Sequence, residues 1–427
     1  MLERIIAAVK AAQVSDWRII EKSTVSHQAF FIKRALDQHR ISDTVHTTLT
    51  VYMDKEVDGK KMRGSASHEF LASDSDEAIA SEIEKMKFNA SLALNPYFEL
   101  VKDEKNFEEK KEYGLTNIMA TVLSAIQNVE DTRTEKINSF EVFVNEYYYH
   151  MLNSQGVDIS FNTMDEEIEI IINSIDGDHE IELYHRVKFA DRPLEEITQG
   201  ILDVFKYAKD RTIAAPTKKS MNMKVLMSGL DNAEFFEYFL SKTNTSMVYS
   251  QGSQVKVGDA AQSSDDCDRI TVKLAKSIPG SSMNRPYSMD GKKAADRTIL
   301  DKGVYTSYWG DQATSYYLGC VDSPYAENFI VSGGSLTSDE LRQGEYLEII
   351  QFSSFIMNPM IGTFGGEIRL AYYSDGEKVI PVTGGSITCN MNDVLNSIRI
   401  SLDTRQIDSC IVPRTIEIPR VAVAGVE

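Results

Sequence analysis

At 427 residues the chain is longer than one hydrophobic core usually grows, which predicts two domains. Hydrophobic residues make up 42% and charged residues 26%, an ordinary globular balance, and the net charge of −19 argues against direct contact with nucleic acid, whose phosphates want a basic face. No stretch approaches the roughly 18 uninterrupted apolar residues of a membrane span, and the four cysteines (Cys267, Cys320, Cys389, Cys410) are widely spaced with no CxxC pair, so a soluble protein of the reducing cytoplasm is expected.

The opening MLERIIAAVKAAQ reads as an amphipathic helix with Leu2, Ile5, Ile6 and Val9 on one side, and it lacks the long apolar run and cleavage site of a signal peptide. Residues 16–54 read as extended. In VHTTLTVYMD, Val45, Thr47, Leu49, Val51 and Met53 alternate with the other face as a half-buried strand requires. Residues 63–72 are a shorter strand of the same kind. A helix follows in 73–94, capped by Ser73 or Ser75, with Ile79, Ile83, Met86 and Ala90 at helical spacing and Pro96 closing it. The charge run 102–114 reads as a solvated loop or helix face, and 115–128 as another amphipathic helix.

Residues 137–190 return to strands, with Asp176-Gly177 as a hairpin turn because glycine accepts positive φ without steric cost. Residues 193–210 open on Pro193 and repeat Leu194, Ile197, Ile201, Val204, Phe205 and Ala208, a helix with one apolar face. The polar stretch 211–222 reads as a linker. The predicted fold class is therefore α+β: an N-terminal α/β domain, residues 1–215, of helices and antiparallel strands, and a mainly β C-terminal domain, residues 216–427.

DGDHEIELYHRV (176–187) invites a zinc reading, since His179-Glu180 is followed by His185. Zinc ligands on one helix face usually stand at i and i+4, and these histidines are six apart. On a strand they share a face but sit about 20 Å apart, too far for one ion. His68-Glu69 has no second histidine after it. All seven histidines lie at or before His185, so the second domain has none. It therefore lacks a histidine base for a serine nucleophile, and Ser263-Ser264 and Ser281-Ser282 read as turns. Gly333-Gly334, Gly365-Gly366 and Gly384-Gly385 lack the context of phosphate-binding loops and read as tight turns or close backbone approaches. Asp265, Asp266 and Asp268 do not have calcium-loop spacing. Tyr147-Tyr148-Tyr149 and Tyr316-Tyr317 read as partly buried structure, with a peptide groove as the alternative.

The second domain also contains an ordered set of segments. KVLMSGLDNAEFFEYFLSKTNTSMVYSQGS (224–253) reads as strand, turn and helix, with Asp231 and Glu234 at capping-box spacing. After it come Arg297 to Gly319, Gly376 to Gly385, and a closing strand that ends in Ala424-Gly425. In this combination the chain resembles the TldD/PmbA family, once described as modulators of DNA gyrase and related to peptidases. In that family the TldD branch carries HExxxH on the second domain's helix and a cysteine near the C-terminus, which together hold zinc. The PmbA (TldE) branch lacks the histidines and partners the first.

The resemblance places Phe236 and Ser241 at the two histidine positions, Glu237 at the general-base position and Cys410 near the third ligand. It implies degenerate metal positions at Phe236, Ser241 and Cys410, no metal and no cofactor in this chain, and zinc in a partner. The implied function is that of a non-catalytic subunit, in a homo- or heterodimer, pairing with a TldD-type zinc peptidase that acts on peptides or unfolded proteins. The alternatives are an autonomous metallopeptidase with an unrecognised metal site and a modulator bound to gyrase or DNA.

Overall fold

The computed structural model describes residues 1–218 and 221–426. The first sheet is built from long antiparallel strands: β1 (Asp16–Ile32), β2 (Ala35–Val57), β3 (Lys60–Phe70), β4 (Leu94–Pro96), β5 (Lys105–Asn106), β6 (Glu135–Asn153), β7 (Asp158–Asp176) and β8 (His179–Phe189). Their order is β4-β3-β2-β1-β6-β7-β5, with β8 also on β7. The charge run 102–114 is mostly irregular, but its Lys105–Asn106 pairs in parallel with β7.

Two helix pairs cover this sheet. The helices α1 (Leu2–Ala11) and α2 (Asp76–Leu92) bury Ile5, Val9, Ile79, Ile83, Met86 and Ala90 against Leu49, Val51 and Phe70. Ser75 caps α2 by accepting from the Ala78 N–H at 3.2 Å. At the other end, α3 (Leu115–Gln127) and α4 (Leu194–Thr212) bury Met119, Val122, Ile126, Ile201, Val204 and Phe205 against β1, β6, β7 and β8. The turn between β7 and β8 has Gly177 at φ +59, and Asp176 pairs with His179 across it. His179 is exposed on β8. His185, farther along the same strand, is enclosed between the sheet and α4.

The predicted linker is not loose. Residues 219–220 of it lie outside the described residues, but β9 (Ala215–Pro216) pairs with Val382 and Thr383, and the Thr217 N–H donates to the Thr383 carbonyl at 2.9 Å. These bonds fasten the stretch to the second sheet.

β10 (Met221–Met227) and strands Glu345–Asn358, Thr363–Asp375, Ser386–Asn390 and Ile416–Ala424 form the body of a second, eight-stranded sheet. Glu345–Asn358 pairs with both β10 and Thr363–Asp375, so these five strands close into a ring. The close approaches expected of the glycine pairs are present here: a Cβ on Gly365 would run into the Ile387 carbonyl of the neighbouring strand. A third sheet of six short strands includes Val272–Ala275, Asn328–Val331 and Cys410–Pro413. The ring and this sheet share one core, and helix α5 (Asn232–Thr243) contributes Phe235, Phe236 and Phe239 to it.

Candidate functional site

Helix α5 is apolar on most of its circumference, as a helix held between two sheets must be. Asn232, Phe235, Phe236, Tyr238, Phe239, Leu240 and Thr243 are all buried. Of the remaining positions, Ala233, Glu234, Glu237 and Ser241 form one stripe at three- to four-residue spacing, and Lys242 lies beside it. That stripe is the wall of a groove of about 490 Å³, whose rim adds Leu230, Asp231, Tyr238, Met357 and Pro359.

The four positions singled out in the sequence separate here. Glu237 and Ser241 line the groove. Phe236 points away from it into the core, fully buried, with its ring edge-on to Phe235 at 5.3 Å. Cys410 is also buried, on a strand that packs against α5, and its Sγ donates to the Ile407 carbonyl at 3.2 Å. Burial, with the nearby Glu237 and Asp408 carboxylates adding to it, pushes the Cys410 thiol up to about 12. The Glu237 carboxyl also stands above its usual range, because protein displaces water around it and Glu234 adds a like charge, although its side chain still reaches solvent.

This donor set does not fit zinc. A phenyl ring offers no lone pair, a serine hydroxyl is a weak ligand, and a thiol with so high a pKa stays protonated near neutral pH. Among the described residues no group of three His, Cys, Asp or Glu side chains converges to hold a metal.

The capping-box reading of Asp231 and Glu234 is corrected by the structure. Asp231 has helical φ and ψ and makes no side-chain cap. Its carboxylate instead accepts from the Phe352 N–H, and burial pushes its pKa up to about 6. Glu234 reaches across to accept from the Met357 N–H at 2.8 Å. Both acids therefore fasten α5 to the strand Glu345–Asn358. The sequence reading missed Arg405, whose buried guanidinium donates to the Gly229 carbonyl below the groove. Burial lowers its pKa to about 10, and its Nε has no partner among the described residues. No local pattern marks it, since its neighbours Tyr207 and Asp231 are close to it only in the folded chain.

The other candidates are structural. Asp268 accepts from the Ile400 N–H at 2.9 Å and from the Ser335 hydroxyl at 3.1 Å. Tyr149 is buried and stacks on Phe161 at 4.9 Å, while Tyr316 and Tyr317 meet Tyr97 and Phe98 edge-on between the two halves of the chain. All four cysteines are free. No helix among the described residues is long and apolar enough to cross a membrane.

Residues 220–425 match the family model of the PmbA/TldA metallopeptidase C-terminal domain. No curated protein matches the sequence. Among solved structures, TldE from Thermococcus kodakarensis is similar over 100% of both chains, at 15% identity and a TM-score of 0.78. A candidate modulator of a DNA gyrase from Thermotoga maritima is similar over 99% of both chains, at 18% identity and a TM-score of 0.76. A candidate modulator of DNA gyrase from Bacteroides thetaiotaomicron is similar over 100% of this chain and 99% of its own, at 16% identity and a TM-score of 0.77. At these identities the likenesses establish the fold, and the family match supplies the kinship of the second half of the chain: residues 220–425, with helix α5, belong to the PmbA/TldA metallopeptidase C-terminal domain family.

Proposed function

We propose that this chain is a non-catalytic subunit of the TldE (PmbA) type, cytoplasmic, which pairs with a zinc-bearing TldD-type relative in the proteolysis or maturation of unfolded peptides. The observation that carries this reading is the burial of Phe236: the position of the first zinc ligand is occupied by an aromatic side chain that the core has absorbed. Zinc then belongs to the partner, and this chain needs no cofactor. Without a metal, a water beside Glu237 keeps the high pKa of bulk water, and hydrolysis lacks its nucleophile.

The groove has a use short of catalysis. Leu230, Ile356, Met360 and Ile361 are large apolar side chains left exposed on the groove rim and in the neighbouring stretch 356–361. Extended peptides bind such surfaces through strand addition and side-chain pockets. The likeness to TldE supports the branch assignment. Two similar structures carry the description of candidate gyrase modulators, but the −19 charge disfavours direct DNA contact.

The deciding experiment measures peptidase activity of the chain alone, of a TldD-type partner alone and of the mixture, with co-purification from native extract. Activity confined to the partner or the mixture, and a similar-sized HExxxH chain in the pull-down, is the expected result. Chelator-sensitive hydrolysis by this chain alone, with about one zinc per chain, would overturn the proposal.

A further inference from the structure

The β1–β2 hairpin leaves one sheet corner unfilled. β3 pairs with β2 only from Thr47, opposite Phe70, to Val57, opposite Lys60. Among the described residues, 35–46 therefore have a paired strand on one side, β1, and an open edge on the other. All of these residues are exposed, and none is a proline. Natural proteins blunt long edges of this kind or cover them.

The exposed stretch continues a buried face. Odd-numbered residues of β2 lie on the side where α1 and α2 cover Leu49 and Val51. Ile41 and Val45 belong to the same side, beyond the reach of the helices, and are 61% and 57% exposed.

We infer that this edge pairs with the same edge of a second copy of the chain, antiparallel, about a two-fold axis through Ile41. A two-fold axis that brings two identical strands together antiparallel stands normal to the sheet, so each residue faces one of the same parity. Centring on Ile41 sets Ile41 against its copy and flanks it on both sides with His39 opposite Asp43. An imidazole N–H can then donate to each carboxylate. On the other face Arg40 meets Ser42 and Gln38 meets Thr44, all polar. Centring on Arg40 or Asp43 would oppose like charges at the axis, which disfavours those registers.

Charge favours a second copy as the occupant. Residues 33–46 carry Lys33, Arg34 and Arg40 against Asp37 and Asp43, a small positive excess in a chain of net −19. This is a stretch where two copies can approach with little of the repulsion their net charge imposes. The edge shares no residue with the α5 groove, so the pairing neither depends on the proposed function nor competes for that groove.

Analytical ultracentrifugation of the full chain at concentrations on the order of 10 µM tests the inference. The expected species has twice the 48.0 kDa of one chain. His39→Asp turns two symmetric attractions into repulsions and should raise the dimer Kd about tenfold. His39→Asp combined with Asp43→His restores the pairing in swapped form and should return Kd to within about threefold of the parent. Circular dichroism checks that each variant is folded. A wild-type monomer overturns the inference. So does a dimer whose Kd is unmoved by His39→Asp and by Ile41→Pro, or a monomer that binds an extended peptide at this edge.

Discussion

Replacing Phe236 with alanine tests whether the core has absorbed its ring, the observation on which the proposed function rests. The ring is fully buried and packs edge-on to Phe235. Removing it forfeits about 2–3 kcal/mol of transfer free energy, at roughly 25 cal/mol per Å² of apolar surface. A partly collapsed cavity adds about 1–2 kcal/mol at roughly 24 cal/mol per Å³. The sum, about 4 kcal/mol, lies within the range for buried aromatic truncations. Ser241→Ala, on the groove wall, should cost no more than about 0.5 kcal/mol.

Trp309 supplies the readout, because its indole N–H donates to the Leu240 carbonyl on α5 at 2.7 Å. In a Trp17→Phe background its fluorescence reports unfolding around this helix. With a urea slope of about 2 kcal/mol per M, Phe236→Ala should lower the midpoint by about 2 M, and Ser241→Ala should lower it by less than about 0.3 M. A drop under about 0.5 M for Phe236→Ala, or equal drops for both variants, would refute the assignment of Phe236 to the core.

Two pH effects of opposite sign follow from buried titratable groups in the first sheet. Enclosure between β8 and α4, opposed by Asp203, pushes His185 down to about 4 from its ordinary 6.5. The unfolded chain then binds the extra proton between those values, so stability is intact above pH 6.5 and is lost as pH falls toward 4, by up to about 3 kcal/mol. His185→Leu should flatten that acid limb in urea titrations at pH 4.5 and 7; an unchanged limb sinks the assignment. Burial pushes Glu166 up to about 7, despite the Asp191 N–H it accepts at 2.8 Å. Its favourable contribution holds below about pH 4.5 and is lost as pH rises through 7. Glu166→Gln keeps an acceptor oxygen and should stabilise the protein at pH 8 by up to about 3 kcal/mol, with no gain at pH 4.5, and a pH-independent gain would contradict the burial argument.

The regular elements were readable because their causes are local. The spacing of Ile79, Ile83, Met86 and Ala90 gave α2 its buried face, and all four residues are buried. Asp176-Gly177 turned where glycine's freedom allowed it. The β2 reading put Thr47, Leu49 and Val51 on a buried face, as they are, but Thr50 and Tyr52 on the opposite face are buried as well, with Tyr52 against Phe98, and Val45 is exposed beyond the reach of α1 and α2. The pattern gives a strand two faces, but what packs on each face depends on distant parts of the chain. Asp231 and Glu234 failed for a related reason. Their spacing suits a cap, yet a strand more than a hundred residues away offers them N–H groups.

By itself the sequence determined the fold class, the helices and hairpins, and the absence of histidine beyond His185, since composition and short-range periodicity need no folded chain. Tertiary structure alone decided that five strands close into a ring, that Phe236 turns into the core while Glu237 and Ser241 face a groove, and that Cys410 and Arg405 lie beneath it. The physical reason is that which side chains of a helix buried on most of its circumference face inward is set by the sheets that enclose it. That enclosure is made by strands from both ends of the second half of the chain, so it exists only once they have paired.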